Sequence, residues 1–134
     1  MLLSPRRSKY KKVKKGKLKK FEFKANKLKF GTIGLKSKES GVISARQLEA
    51  ARQAIVRKIN RKGKLWVRIF PDLPVTNKPK EVRMGKGKGS VAFWSSKVAG
   101  GRILFELCGV SKASAFLAFR TGGAKLSIKT KIVF

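Results

Sequence analysis

The residues with the most distinctive chemistry in this sequence lie at positions 80–89, where glycines alternate with long cationic side chains. Three glycines within five positions disfavour regular secondary structure and let the backbone approach a partner closely. Cations at this density would be neutralised best by a polyanion. The pattern predicts a phosphate-binding finger, residues 80–89, that projects from a folded domain. Its candidate contact residues are Arg83, Met84, Gly85, Lys86, Gly87, Lys88 and Gly89.

The finger does not match the common nucleotide-binding loops. The P-loop signature ends in Gly-Lys-Ser or Gly-Lys-Thr, and neither tripeptide occurs in the chain. The dinucleotide fingerprint opens a helix, whereas the finger leads into a predicted strand. A nucleotide site is therefore disfavoured, and a flexible solvated loop is the alternative that stays open.

The composition argues against catalysis. The chain has no histidine, which is the commonest general base and metal ligand. Cys108 is its single cysteine, so neither an internal disulfide nor a cysteine cluster can form. The six carboxylates are scattered and offer no close pair that could divide acid and base roles. We expect no catalytic residue, no metal and no cofactor.

The charge balance predicts a large anionic partner. Thirty-five Lys and Arg residues face six Asp and Glu residues, for a formal net charge of +29. Nucleic acid is the leading candidate, and an anionic membrane surface is the rival. No apolar run approaches the ~20 residues of a membrane-spanning helix. An apolar fraction of 42% is enough for the core of one domain.

Residues 1–20 contain ten cations and no acid, without a helical or strand-like apolar period. We interpret them as an extension that is disordered alone and becomes ordered on a polyanion. A solvated tail and an organellar presequence remain alternatives, and a membrane role would require a Lys-rich amphipathic helix here. The proposed organisation is this extension followed by a single domain, residues 21–134. The expected polyanion contacts in the extension are Arg6, Arg7, Lys9, Lys11, Lys12, Lys14 and Lys15.

Two helices are predicted. Ser44 and Gln47 form a capping box at the start of the first, and Gly63 is a plausible stop. Its core-facing stripe is Leu48, Ala51, Ile55 and Ile59. Ser111 should cap the second helix, which Gly122-Gly123 should end or weaken. The residues at helical spacing in that second segment are Ala113, Phe116, Leu117 and Arg120.

Alternating patterns predict strands, and the region 71–79, which contains three prolines, should be an irregular connection. Gly100-Gly101 suits the two-residue turn of a hairpin. Trp66, Arg68 and Phe70 share one strand face, which could stack on bases or form a second buried surface. The fold class is α+β: a mixed, largely antiparallel sheet with two helices packed on it. The predicted strands are 21–35, 64–70, the hairpin of 90–98 with 102–108, and a final strand that contains Leu126, Ile128 and Ile132.

Five segments, in this order and spacing, resemble the bacterial-type large-subunit ribosomal protein sixteen family over nearly the whole chain. They are Ser4-Pro5-Arg6-Arg7-Ser8-Lys9-Tyr10; Phe30-Gly31 with Gly34-Leu35; Ala45-Arg46-Gln47-Leu48-Glu49-Ala50-Ala51-Arg52; Gly63-Lys64-Leu65-Trp66-Val67-Arg68-Ile69-Phe70-Pro71-Asp72; and Lys78-Pro79 with Val82-Arg83-Met84-Gly85-Lys86-Gly87-Lys88-Gly89.

The resemblance implies a hammerhead-type α+β fold without catalytic activity. It implies binding to large-subunit rRNA at the base of the central protuberance, beside the aminoacyl (A) site, where members help seat incoming tRNA. The basic N-terminus would thread into rRNA, and the loop that matches Arg83–Gly89 would point toward the peptidyl transferase centre and A-site tRNA. Arg46, Arg52 and Arg68 are further expected rRNA contacts. Neighbouring ribosomal proteins are expected partners, with no membrane and no stable free oligomer.

The chain also departs from the family pattern. Gly122-Gly123 replaces helix-forming alanines, Cys108 stands where an acidic residue is usual, and residues 11–29 are unusually rich in lysine. These departures suggest an organellar member. We expect a ribosome in the mitochondrial matrix, with a plastid or a bacterial cytoplasm as alternatives.

Overall fold

The computed structural model describes residues 4–18 and 21–134, and the strands of the domain form two antiparallel sheets rather than one. The first sheet has the order β3-β6-β1-β7 and the second the order β2-β5-β4. The α+β class with two helices is confirmed. The elements are β1 (Ile33–Ser37), β2 (Gly41–Ser44), α1 (Ala45–Lys58), β3 (Lys64–Val67), β4 (Leu73–Asn77), β5 (Ser90–Val98), β6 (Ile103–Cys108), α2 (Lys112–Gly123) and β7 (Thr130–Val133).

Helix α1 forms as its sequence predicts. The Ser44 hydroxyl accepts a hydrogen bond from the Gln47 amide, and the Gln47 side chain accepts one from the Ser44 amide, which completes the capping box. The predicted stripe is confirmed, because all four of its side chains are buried. The expected stop at Gly63 is wrong, however. The helix ends at Lys58, and Asn60 and Arg61 take the left-handed conformation that turns the chain.

Helix α2 starts at the predicted Ser111 cap and continues to Gly123. The residues at helical spacing do lie in this helix, but Phe116 and Leu117 are about half exposed and do not form its buried face. A Cβ added to Gly122 would overlap the side chain of Ile55, so the two helices pack closely at this glycine. Because α1 packs closely against α2, the face of α2 that carries small residues is buried, and Phe116 and Leu117 lie on the exposed side. The buried face consists of Ala115, Ala118, Phe119 and Gly122.

Strands β5 and β6 do not pair with each other, so the predicted hairpin is wrong. The chain turns at Gly100-Gly101, but β5 joins the second sheet and β6 the first. One bond closes the turn directly, from the Arg102 amide to Ala99 O (3.3 Å), and Ser37 of β1 bonds to the same two residues: its hydroxyl donates to Ala99 O (2.8 Å), and its amide donates to Arg102 O (2.9 Å). A residue distant in sequence therefore separates the two strands.

Residues 21–32 form an irregular strap rather than the predicted strand, and only Ile33–Ser37 of this region is a strand. The strap covers the outer face of the first sheet. The Ile103 amide donates to Ala25 O (2.9 Å). Gly34 makes room for Leu28, since a Cβ on Gly34 would overlap the leucine side chain. Of the residues that gave the strand-like pattern, Leu28 packs on the sheet, whereas Phe21, Phe23 and Phe30 are exposed. The alternation in this segment therefore does not mark a strand with one buried face.

The region after Phe70 is more regular than expected. Strand β4 lies within the predicted irregular connection and pairs with β5, from Leu73 opposite Ser95 to Asn77 opposite Ser90. Proline at position 74 is tolerated because β4 is an edge strand. The predicted strand 64–70 is shortened to Lys64–Val67. Of the three residues predicted in the final strand, only Ile132 lies in the observed strand, Thr130–Val133. The finger is therefore the tip of a β4–β5 hairpin.

Candidate nucleic-acid interface

The finger has a fixed root and an open tip. At the root, a Cβ on Gly89 would overlap the Asn77 carbonyl, which shows how closely the two hairpin strands approach there. At the tip, no heavy atom lies within 4 Å of a Cβ added to Gly85 or Gly87. Both glycines have positive φ values, +94° and +79°, and the Met84 side chain is 99% exposed. Glycine is thus required by backbone conformation rather than by crowding.

The finger contacts the N-terminal segment, residues 4–18, through two crossed lysines. Lys12 Nζ donates to the Lys88 carbonyl (2.6 Å), and Lys88 Nζ donates to the Val13 carbonyl (2.7 Å). Within the finger loop, Lys78 Nζ donates to the Gly85 carbonyl. Two of the predicted RNA-binding groups are therefore adjacent in space although 76 residues separate them.

The predicted cations of the N-terminal segment are all exposed, and residues 4–18 contain no helix or strand. The amphipathic helix that a membrane role would need is absent from these residues. Residues 1–3 and the two lysines at positions 19 and 20, where the boundary with the domain was placed, lie outside the described residues. In the part of the chain that the structure describes, no helix is long and apolar enough to cross a membrane.

An open cleft of about 1030 Å³ lies beside this segment, and its lining combines apolar residues with four cationic ones. Val13 of the N-terminal segment lines it, as does a single carboxylate, Asp72. Two of the predicted rRNA contacts, Arg52 and Arg68, meet in this cleft although they come from α1 and from the chain after β3. The cationic residues of the lining are Arg52, Arg68, Lys97 and Arg102.

Each of those two arginines also has an internal acidic partner. Arg52 forms a two-point contact with Glu49, at 2.6 and 3.0 Å. The hydrogen bonds from Arg52 lower the pKa of the Glu49 carboxyl and raise the pKa of the arginine. Arg68 pairs with Glu106. The third predicted contact, Arg46, is exposed at the start of α1 and lines a smaller open cleft with Phe93.

Glu106 is the functional residue that sequence reasoning missed. Its side chain is fully buried, and one carboxylate oxygen accepts hydrogen bonds from the amides of Lys29 (3.1 Å), Phe30 (2.6 Å) and Gly31 (2.8 Å). Burial raises the pKa of Glu106, but the three amides and Arg68 outweigh that effect, and the net pKa is lowered. Nothing local in the sequence distinguishes this carboxylate, because all its partners are distant in the chain.

The Glu106 cluster supports an exposed aromatic pair. Phe30 stacks on Trp66 with ring centroids 6.1 Å apart and an interplanar angle of 19°. The Arg68 guanidinium lies 5.1 Å from the Phe30 centroid. Trp66 and Glu106 are directly opposite each other on β3 and β6, so their side chains share the outer face of the first sheet.

The described residues contain no group of three or more Cys, Asp and Glu side chains placed to hold a metal ion. The charged side chains of the N-terminal segment, and all but Glu81 of those in the finger, are instead cations, which suit oxyanions. The geometry therefore matches phosphate recognition.

Comparison with known proteins identifies the family. The model of the ribosomal protein L16p/L10e family matches residues 5–133. The large ribosomal subunit protein uL16 of Rhizobium rhizogenes is 53% identical over 132 residues, which cover 98% of this chain and 96% of that protein. The uL16 proteins of Sinorhizobium medicae and Agrobacterium fabrum are 52% identical over the same length and shares. The chain therefore belongs to the ribosomal protein L16p/L10e family, whose members are structural components of the ribosome and not enzymes.

Proposed function

We propose that this chain binds large-subunit rRNA at the base of the central protuberance and that its finger helps position A-site tRNA. Membership of the family and the large-subunit name of the relatives support the ribosomal part. The observation that carries the rest is the finger itself: a fixed root, an open glycine-rich tip and exposed cations. Such a loop can reach a neighbouring phosphate backbone without moving the domain that carries it.

The finger divides into an anchor and a tip. Lys88 bonds to the N-terminal segment, so it stabilises the position of that segment. Arg83 and Lys86 are exposed, and no hydrogen bond joins either side chain to another described residue. We assign Lys88 and Lys12 to the rRNA-bound base, and Arg83 and Lys86 to the tRNA-facing tip.

Salt dependence tests the rRNA part of the proposal. Each phosphate that a cation neutralises on duplex-like RNA should add about 0.9 to the negative slope of log K against log salt. We expect a steep slope when the chain binds large-subunit rRNA fragments. Binding that hardly changes between low and moderate salt would contradict the proposal.

Charge removal at single positions tests the division of the finger. Lys86→Gln should weaken A-site tRNA binding to reconstituted ribosomes while incorporation of the chain into the subunit stays normal. Lys88→Gln should impair incorporation, because it loses the contact with Val13. Lys125→Gln, an exposed lysine after α2, is the matched control and should change neither property. If Lys86→Gln affects incorporation alone, the tip is only an rRNA anchor.

The compartment is part of the same proposal. We propose a mitochondrial ribosome, supported by the lysine-rich residues 11–29 and the substitutions at Cys108 and Gly122-Gly123, whereas the relatives named above are bacterial. Neighbouring large-subunit proteins are the expected protein partners. Fractionation of the source cells decides the compartment, since recovery of the chain in cytoplasmic ribosomes alone would overturn the mitochondrial assignment.

A further inference from the structure

The aromatic pair of Phe30 and Trp66, here called the ring pair, lies on a face of the domain that the finger does not use. Phe30 is 51% exposed although it is a large apolar side chain, and Trp66 is half-buried. Their rings lie nearly parallel, 19° apart. An exposed pair of parallel rings offers a flat apolar surface that another planar group can extend.

The cations around the ring pair match the charge of a nucleic acid strand. Lys64 Nζ lies 5.2 Å from the Trp66 centroid, and Lys29 Nζ lies 5.8 Å from the Phe30 centroid. Both lysines are exposed, and neither forms an ion pair with a described acidic side chain. Their flexible stems let the ammonium groups swing from the rings to a phosphate on either side of a stacked base.

The ring pair is held in place before any partner arrives. The Glu106 carboxylate binds the amides of residues 29–31 and so fixes the backbone of Phe30. At Gly31, an added Cβ would lie 2.8 Å from the backbone nitrogen and oxygen of Leu107, so the strap is pressed onto β6 there. Because these bonds already order the ring, a partner does not pay that ordering cost on binding.

We propose that the ring pair is a stacking platform for an unpaired RNA base, with Lys29 and Lys64 bound to the flanking phosphates. The inference rests on the proposed rRNA binding and adds a site to it, on a face distinct from the finger. An apolar segment of a neighbouring protein could also cover the rings. The adjoining lysines favour RNA, because an apolar segment would leave them without a counter-ion. Stacking of this kind accounts for about 5- to 100-fold in affinity per base.

Fluorescence of the full chain provides a direct test. The protein has two tryptophans, and Trp94→Phe leaves Trp66 as the only one. This variant is titrated with a single-stranded uridine oligonucleotide and with an abasic sugar-phosphate oligomer of the same length, at the same moderate salt concentration. We expect the uridine strand to quench Trp66 emission and to bind at least fivefold more tightly than the abasic strand. The converse variant, Trp66→Phe, should bind each of the two strands with the same affinity as Trp94→Phe does, but the emission of its remaining tryptophan, Trp94, should not be quenched.

Variants of the platform sharpen the test. Phe30→Leu should remove most of the preference for the base-containing strand and leave the salt slope unchanged, because no cation is lost. Phe93→Leu, at an exposed phenylalanine of the second sheet, is the matched control and should keep the preference. The comparison of the uridine strand with the abasic strand uses a chain in which Phe30 and Trp66 are unchanged. It therefore remains valid even if Phe30→Leu folds poorly.

Each outcome is decisive. Equal affinity for both strands, or equal quenching by both, would overturn the stacking platform and leave the rings to a protein neighbour. In that case a steep salt slope on rRNA would still uphold the proposed function. Loss of binding to every RNA tested, including rRNA fragments, would overturn the proposed function as well.

Discussion

Replacing Glu106 with glutamine should destabilise the domain by about 3–5 kcal/mol, the usual cost of breaking a buried ion pair by removing one partner. The carboxylate is fully buried and accepts bonds from three amides of the strap and from Arg68. Glutamine keeps the shape of the side chain but has no charge. Its NH2 group is a hydrogen-bond donor and would face the amide or guanidinium donors that bind the carboxylate. Arg68 would also lose its counter-ion.

The exposure of Arg68 places the expected cost near the lower end of that range. Its side chain is 16% exposed, so water can recover part of the hydration of an unpaired guanidinium. For a slope of about 2 kcal/mol per molar urea, a loss of about 3 kcal/mol lowers the urea midpoint by about 1.5 M. Far-UV circular dichroism measures the global transition, and Trp66 emission, recorded in the Trp94→Phe background, reports whether the strap detaches first.

Glu49→Gln is the matched control, because Glu49 pairs with Arg52 on the partly exposed surface of α1. That change should cost less than about 1 kcal/mol. If Glu106→Gln costs no more than Glu49→Gln, the cluster does not clamp the strap to the sheet. The reasoning about the ring pair would then lose its structural basis.

A pH experiment and three glycine substitutions test other parts of the molecule. The pKa of Glu106 is lowered in the folded protein. Its contribution to stability is therefore complete above the unfolded-state pKa of about 4.3 and is lost as the pH falls through the folded-state pKa. When urea melts are repeated below about pH 5, Glu106→Gln should lose less stability relative to neutral pH than the parent protein does. Gly122→Ala should destabilise by about 1–3 kcal/mol through overlap with Ile55, despite better helix propensity, and a gain in thermal stability would contradict this. The Cβ added by Gly123→Ala would be crowded by the Thr130 hydroxyl but not by a second helix, so this change should destabilise the domain less than Gly122→Ala. Gly85→Ala should destabilise the domain by no more than about 1–2 kcal/mol, because the exposed tip can change its backbone conformation to relieve the strain of a side chain at φ +94°. That change should weaken A-site tRNA binding, and normal tRNA binding would refute that role for the loop.

Features that depend on neighbours in sequence could be predicted. The capping box and the buried stripe of α1 follow from residues three and four positions apart, and the structure confirms both. The Ser111 cap of α2 is a local signal of the same kind. The finger was recognisable because its glycines and cations are adjacent in the chain.

Features that depend on distant residues could not be predicted. Residues 90–108 carry a good local signal for a hairpin, but Ser37 inserts between the two strands. The apolar residues of α2 are spread around the helix, so periodicity alone could not show that the small-residue face would meet α1. Glu106 looks like an ordinary strand residue until the strap folds over it. In each case the deciding contact joins segments far apart in sequence.

The six carboxylates explain how a chain with a net charge of +29 leaves most of its cations available to a polyanion. Four of the six are bonded within the domain: Glu22 accepts from an amide of its own strap, Glu39 from the amide of Lys129, Glu49 from Arg52 of the same helix, and Glu106 from both the strap and Arg68. Only three arginines form ion pairs among the described residues. Few of the cations are therefore neutralised by internal ion pairs. The other cations of the domain repel one another, and binding to RNA relieves that repulsion. Because RNA binds the folded domain, assembly into the ribosome also stabilises the fold.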